Sequence, residues 1–239
     1  MVRKLGHRAL MHGYNLHMPD QLKAVFFDVG STLLFLDWQR ILAPLQQRKL
    51  SPSREQLLAI ERKTKIHFDA IMQQGGGVDH GFWYMFYSRL FQELAWRDDQ
   101  LRDSLVDATR SSANWCVIRP ETREILQRLG RDYQLGVISN ADGKIASILE
   151  RCGIADCFTT IADSGLVGHE KPHPAIFEAA LREMGVAAGQ SLYVGDIYSV
   201  DYLGATRAGM QAILFDVAGT YRDTDLPRVE SLEELEKKL

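Results

Sequence analysis

Leu22–Leu34 reads LKAVFFDVGSTLL. Its apolar run, Ala24-Val25-Phe26-Phe27, has the length and aromatic content of a buried strand, and it stops at a carboxylate followed by Gly30, Ser31 and Thr32. That places Asp28 at the carboxyl end of a strand, where open parallel α/β sheets bind their ligands. Taken alone, D-x-G-x-T is better read as an ordinary turn. The remainder of the chain separates the two readings.

Downstream of Arg119 the pattern alternates between strand and helix. Pro120 and Glu121 open a helix that ends near Arg131; 134–139 is a short apolar strand; 142–152 is a helix stopped by Gly153. Further strands are expected at 159–162, 192–195 and 212–215. Helices are expected at 174–184 and 199–208, closed by Gly185 and Gly209, and a last one opens at the capping box Ser231 to Glu234. This is an α/β pattern with a Rossmann-like parallel sheet. The strand before Asp28 belongs with these later strands, since a lone strand can neither pair its edges nor bury both faces.

Between Phe35 and Trp115 the character changes. Ser53 followed by Gln56 reads as a helix start with a capping box, and apolar residues from Leu57 to Met72 recur at helical spacing until Gly75-Gly76-Gly77 breaks them. An aromatic-rich stretch from Phe82 through Leu94 and a further one over 101–113 read as two more helices, and no strand is evident. The expected organisation is an α/β core formed by 20–34 and 117–239, with a small helical cap, 35–116, inserted over the carboxyl edge of the sheet. The first nineteen residues, basic and without clear patterning, read as an extension that lacks the apolar centre of a signal peptide.

Composition narrows the partners. The chain has 239 residues, 46% hydrophobic and 25% charged, with a formal charge of −3. Those values fit a globular protein and give no electrostatic reason to expect nucleic acid or a membrane surface. Cys116, Cys152 and Cys157 form no C-x-x-C pair and leave an odd number, against a disulfide framework or zinc knuckle. No apolar run approaches the roughly 18 residues of a membrane span. The expectation is a cytoplasmic enzyme acting on a small molecule.

Four separated stretches carry polar groups at strand ends or helix starts. They are Asp28 to Thr32, Ser139-Asn140, Lys171-Pro172-His173-Pro174, and Gly195-Asp196 with Asp201. Each is a common turn or helix entry by itself. In this order they resemble the four motifs of the haloacid dehalogenase-like hydrolase superfamily, and the inserted helices resemble that family's helical cap of the first type.

The resemblance implies a phosphohydrolase in which Asp28 is the nucleophile and forms an aspartyl-phosphate that water hydrolyses. A carboxylate and a phosphate repel, so positive charge is needed at the phosphorus, from Lys171 and a divalent cation. Mg²⁺ takes oxygen ligands and fits Asp28 and Asp196, with the Gly30 carbonyl as a third ligand by resemblance and Asp201 at longer range. Thr32, Ser139, Asn140 and Lys171 are the expected phosphate contacts, and the expected partner is a small phosphorylated metabolite. Oligomeric state is not legible.

One position departs from the family pattern. Family phosphatases carry a second aspartate two residues after the nucleophile, which protonates the leaving group; here Gly30 stands there. General acid–base catalysis contributes typically about 10²–10⁴-fold, so alkyl phosphates are expected to turn over slowly. Restoring an aspartate at position 30 is expected to raise that rate. A replacement acid from the lid, such as Asp79 or His80, is an alternative, and Trp83 and Tyr84 are within the stretch that would meet a leaving group. Other readings are a weakly active binding protein, a metal-independent 2-haloacid dehalogenase, and a phosphonate hydrolase using Lys63 or Lys65. The acids at 196 and 201 favour phosphoryl transfer.

Overall fold

The computed structural model describes residues 22–75 and 81–239. The basic extension and the lid residues Asp79 and His80 lie outside the described residues. Six strands form one parallel sheet in the order β5-β4-β1-β6-β7-β8: β1 (Ala24–Phe27), β4 (Gln134–Ser139), β5 (Thr160–Asp163), β6 (Ser191–Gly195), β7 (Gln211–Phe215) and β8 (Arg228–Val229). The remaining strands, β2 (Leu34–Leu36) and β3 (Trp115–Ile118), pair antiparallel outside it.

Alternation along each strand explains why the sheet is covered on both faces. Val25 and Phe27 join Leu135, Val137, Leu192 and Val194 in one apolar cluster. Ala24 and Phe26 point the other way, with Ile138, Tyr193 and the buried face of helix Pro174–Met184. That helix starts at Pro174 and ends at Gly185 with φ 72°, as its sequence punctuation requires.

After β1 the chain builds β4 and β5 on one side and then crosses to β6 on the other, creating a crevice at the carboxyl end of the central strand. Phe27 is in register with both Val137 and Val194. Asp28, Ser139 and Asp196 therefore arrive at the same edge, one or two residues past that register.

Helices Arg54–Gln73, Gly81–Glu93 and Asp99–Arg110 lie between β2 and β3 and share their own apolar cluster, which includes Ile60, Phe86, Leu90 and Leu105. Ser53 and Gln56 form the expected reciprocal capping box. Most of the aromatic stripe packs inside: Trp38 stacks on Phe86 at 5.7 Å, and Trp83 meets Phe82 edge-on at 5.0 Å. Tyr84 is instead exposed, with the Arg102 guanidinium 4.4 Å over its ring.

Two sequence expectations differ from what forms. Phe35–Trp115 was expected to hold no strand, yet its ends pair as β2 and β3, with a register shift at Phe35 and Leu36. Strands this short form through their mutual pairing and through packing of Leu34 and Leu36 into the apolar clusters, which local patterning does not show. The helix expected over 199–208 is split into a wide π-helical turn, Tyr198–Tyr202, and a short α-helix, Leu203–Arg207. The extra residue in that turn lets Asp201 fold back onto the loop before it. Among the described residues no helix is long and apolar enough to cross a membrane.

Candidate active site

Asp28 continues β1 by donating its backbone N–H to Val194, so its side chain starts from the rigid centre of the sheet. The Lys171 ammonium donates to Asp28 Oδ1, Asp201 Oδ1 and the Tyr193 hydroxyl, each at 2.8 Å. A lysine has three N–H groups, and these three partners use them all. Lys171 is also held by its backbone: its N–H donates to Asn140 Oδ1 at 2.7 Å, and its carbonyl accepts from Asn140 Nδ2 at 3.0 Å. The Asn140 amide thus clamps the lysine loop to the end of β4.

Asp201 is equally committed. Its Oδ2 accepts from the backbone N–H groups of Asp196 and Ile197 at 3.1 and 2.9 Å, while Oδ1 accepts from Lys171 and faces the Tyr193 hydroxyl at 3.1 Å. This close approach needs a glycine before it. A Cβ at Gly195 would lie 2.5 Å from the Asp201 Cγ.

Asp196 meets a different cation. Lys65, from helix Arg54–Gln73, donates to Asp196 Oδ2 and Glu61 Oε1 at 2.8 Å each, and is only 1% exposed. The same helix carries Asp69, which accepts from the Ser199 N–H at 2.9 Å and the Tyr221 hydroxyl at 2.8 Å. One helical face therefore docks on the loops that hold Asp196 and Asp201.

Burial raises the Asp28 carboxyl to about 6, only partly offset by the Lys171 charge. Burial likewise raises Asp196 to about 7 against the opposing pull of Lys65, and the neighbouring acids push both upward. Burial alone would lower Lys171, but Asp201 and Asp28 outweigh it and hold the ammonium above its usual range.

Asp28, Asp196 and Asp201 each offer a carboxylate oxygen within 4.8 Å of the others, all three buried. This all-oxygen donor set fits a hard divalent cation such as Mg²⁺. Asp201 has both oxygens occupied by two donors, which leaves Asp28 and Asp196 as the acids better placed for direct ligation.

A cavity of about 470 Å³ opens above these groups, lined by Asp28, Gly30, Ser31, Ser139, Asn140, Lys171, Asp196 and Asp201, with Trp83, Trp115 and Arg110 on the helical side. Thr32 is not among the lining residues: it is 1% exposed and its hydroxyl has no partner among the described residues. Ser31 lines the cavity instead, with φ 55°, because the chain turns back so that Ser31 donates to the Leu34 carbonyl. Sequence reading missed Ser31, Tyr193 and Glu61 as cavity or network residues, and it considered Lys65 only for phosphonate hydrolysis. Tyr193 had a readable signal, a polar-tipped residue on the buried strand before Gly195.

At Gly30, where the resemblance leads to the expectation of an aspartate, the Trp115 ring lies close against the backbone. A Cβ there would come 3.3 Å from Trp115 Cζ3. The indole is fixed by donating Nε1–H to the Thr109 carbonyl at 2.8 Å and by packing against Trp83 at 5.7 Å.

The family model described as haloacid dehalogenase-like hydrolase matches residues 86–215. A glyceraldehyde 3-phosphate phosphatase of Methanothermobacter thermautotrophicus is 33% identical over 208 residues, covering 85% of this chain and 90% of that protein. Among solved structures, the putative hydrolase YfnB of Bacillus subtilis, bound to magnesium, superposes with a TM-score of 0.63 at 18% identity, covering 91% of this chain and 98% of that one. A 2-haloacid dehalogenase of Pseudomonas syringae gives 0.54 at 26% identity, covering 91% and 97%. With a family model matching more than half of the chain and a relative of this identity and coverage, the chain belongs to the haloacid dehalogenase-like hydrolase family.

Proposed function

We propose that the protein is a Mg²⁺-dependent phosphohydrolase that acts on a small phosphorylated metabolite through Asp28, with residues 35–116 serving as its cap. The observation that carries this reading is the placement of Asp28 at the end of the central strand, beside the Lys171 ammonium and within reach of the Asp196 and Asp201 carboxylates. The relative named glyceraldehyde 3-phosphate phosphatase supports a compact sugar phosphate as the substrate class. A cavity of about 470 Å³ is ample for one.

In this reading an Asp28 oxygen attacks phosphorus as the leaving oxygen departs, and water then cleaves the acyl phosphate, releasing phosphate and restoring the carboxylate. Lys171 aims and charge-balances the nucleophile, Tyr193 and Asp201 hold Lys171, and Asn140 fixes its loop. Ser139 and the loop carrying Ser31 face the phosphoryl oxygens. A divalent cation held by Asp28 and Asp196, with the Gly30 carbonyl, would supply positive charge beside those oxygens. No carboxylate at position 30 protonates the leaving group, so acyl and aryl phosphates, whose leaving groups need little protonation, turn over faster than alkyl phosphates.

A panel of acyl, aryl and sugar phosphates assayed with and without Mg²⁺ tests this, with Asp28→Asn as control. Expected is Mg²⁺-dependent phosphate release that falls on the order of 10³-fold or more in the variant, the scale at which loss of a reacting group shows. Absence of Asp28-dependent turnover on every panel member would overturn the reading.

A further inference from the structure

Lys65 is the only ammonium that the helical segment brings to the described acid cluster, and it meets the acid Lys171 leaves unpaired. Lys171 belongs to the core and serves Asp28 and Asp201; Lys65 serves Asp196 from a different part of the fold. A buried lysine would ordinarily lose its proton, but Asp196 and Glu61 oppose that and hold Lys65 well above its usual range. It is a permanent positive charge on a carboxylate that a divalent cation would also need.

We propose that Lys65 competes with the divalent cation for Asp196, and that Glu61 is the alternative partner onto which the ammonium moves when the metal is held. The inference rests on the metal reading given above. Two observations point to an exchange rather than a fixed ion pair. Glu61 sits one helical turn before Lys65, also at 2.8 Å, so the ammonium can leave Asp196 without becoming an unpaired buried charge. Room for the movement is present as well. Lys65 borders a second cavity of about 510 Å³ beside β2 and β3, and Glu61 lines both that cavity and the one over Asp28.

The physical conflict is local. Mg²⁺ needs short contacts, roughly 2.0–2.1 Å, to its ligand oxygens and tolerates little distortion. An ammonium on the same carboxylate repels the cation and withdraws the electron density that would bind it. With Lys65 on Asp196 the helical segment stays docked and the metal is held weakly; with the metal in place, Lys65 rests on Glu61.

Titration calorimetry with Mg²⁺ and with Mn²⁺, in the absence of any substrate, decides the matter. Lys65→Met should bind metal on the order of tenfold to a hundredfold more tightly than the unaltered protein, the range that neighbours of metal ligands command. Glu61→Gln should bind it more weakly, because Lys65 then has Asp196 as its remaining carboxylate. Equal or weaker binding in Lys65→Met, or tighter binding in Glu61→Gln, overturns the proposal. So does an unchanged metal affinity in Lys65→Met accompanied by weaker inhibition by inorganic phosphate, which would make Lys65 a phosphate contact. If circular dichroism shows Lys65→Met unfolded, the sign of the Glu61→Gln effect carries the test alone. Metal binding that is absent from the unaltered protein and every variant, or unaffected by Asp196→Asn, would instead remove the metal reading beneath it.

Discussion

On the sheet side of the cavity Lys171 and Asp201 are committed within the core, whereas on the helical side Lys65 faces a choice of partners. Lys171 directs its three donors to Asp28, Asp201 and Tyr193, and Asp201 fills both of its oxygens with four contacts. Lys65 divides itself between a core acid and one on its own helix. Trp115 and Trp83 add a wall of rings to the cavity beside Gly30. The core thus holds Asp28 in a fixed setting, and what is unusual about this site comes from the segment packed over it.

The sharpest way to break that division is at Gly30. The sequence alone leads to the expectation that Gly30→Asp restores the acid and raises turnover of alkyl phosphates, but the indole of Trp115 stands 3.3 Å from where the new Cβ would be. Trp115 is pinned by its bond to Thr109 and cannot yield freely. Gly30→Asp alone should therefore leave alkyl phosphate turnover unchanged or lower. Combined with Trp115→Val, which puts a strand-favouring β-branched residue in β3 and clears the ring, it should raise that turnover about 10²-fold, the lower end of a general acid's contribution. Steady-state rates on a sugar phosphate check both, and a large gain from Gly30→Asp alone would show that the helical side does not exclude the acid.

How far the sequence could be read follows the same boundary. The sheet strands, helix Pro174–Met184 and the positions of Asp28, Ser139, Lys171 and Asp196 are local signals, an apolar run ending in a polar residue or a proline-led helix start, and local signals survive without coordinates. The fold class follows from their order. Thr32 was equally visible as a motif member, yet at the turn where Ser31 has a φ of 55° it is Ser31, and not Thr32, that lines the cavity. Lys65 and Asp196, or Gly30 and Trp115, come from remote parts of the chain and meet only through packing. No periodicity records such a pair, and a lysine at a helical position reads as a solvated one until its burial is seen.

The committed core also stores a pH dependence. Asp28 and Asp196 sit near 6 and 7 in the folded protein, above the ordinary carboxylate value of about 3.8 that the unfolded chain restores. Between those limits the folded state binds more protons than the unfolded one, so stability falls as pH rises from about 4 to 7 and levels off above. A shift of two units on one such group corresponds to about 3 kcal/mol, an upper figure for a pair that shares its charge with two lysines. Thermal unfolding with a chelator should show a declining midpoint across that window, by about 2–4 °C per kcal/mol. Mg²⁺ should restore the midpoint at pH 8 and do little at pH 4.5, where the acids are protonated. A chelated midpoint that climbs over the same range would mean that the ammonium groups, rather than burial, dominate the cluster.

The smallest test addresses how the two sides are joined. Asp69 is 6% exposed and gathers the Tyr221 hydroxyl and the Ser199 N–H, while Tyr221 in turn accepts from the Tyr198 N–H, so one helical acid organises the turn that carries Asp201. Tyr221→Phe removes the hydroxyl and keeps the ring that packs near Tyr198. A bond to a charged acceptor is worth about 1.5–3 kcal/mol, less whatever Asp69 recovers from Ser199, so urea unfolding should register a loss of about 1–2 kcal/mol with an unchanged slope. If Asp69 fastens the helical side to the core rather than merely stabilising it, the same variant should raise KM for a small phosphate ester more than it lowers kcat, because the fixed core chemistry is untouched. An equal fall in kcat would instead mean that the 198–202 turn depends on Tyr221 to hold Asp201 on Lys171, and that the two sides are one mechanical unit.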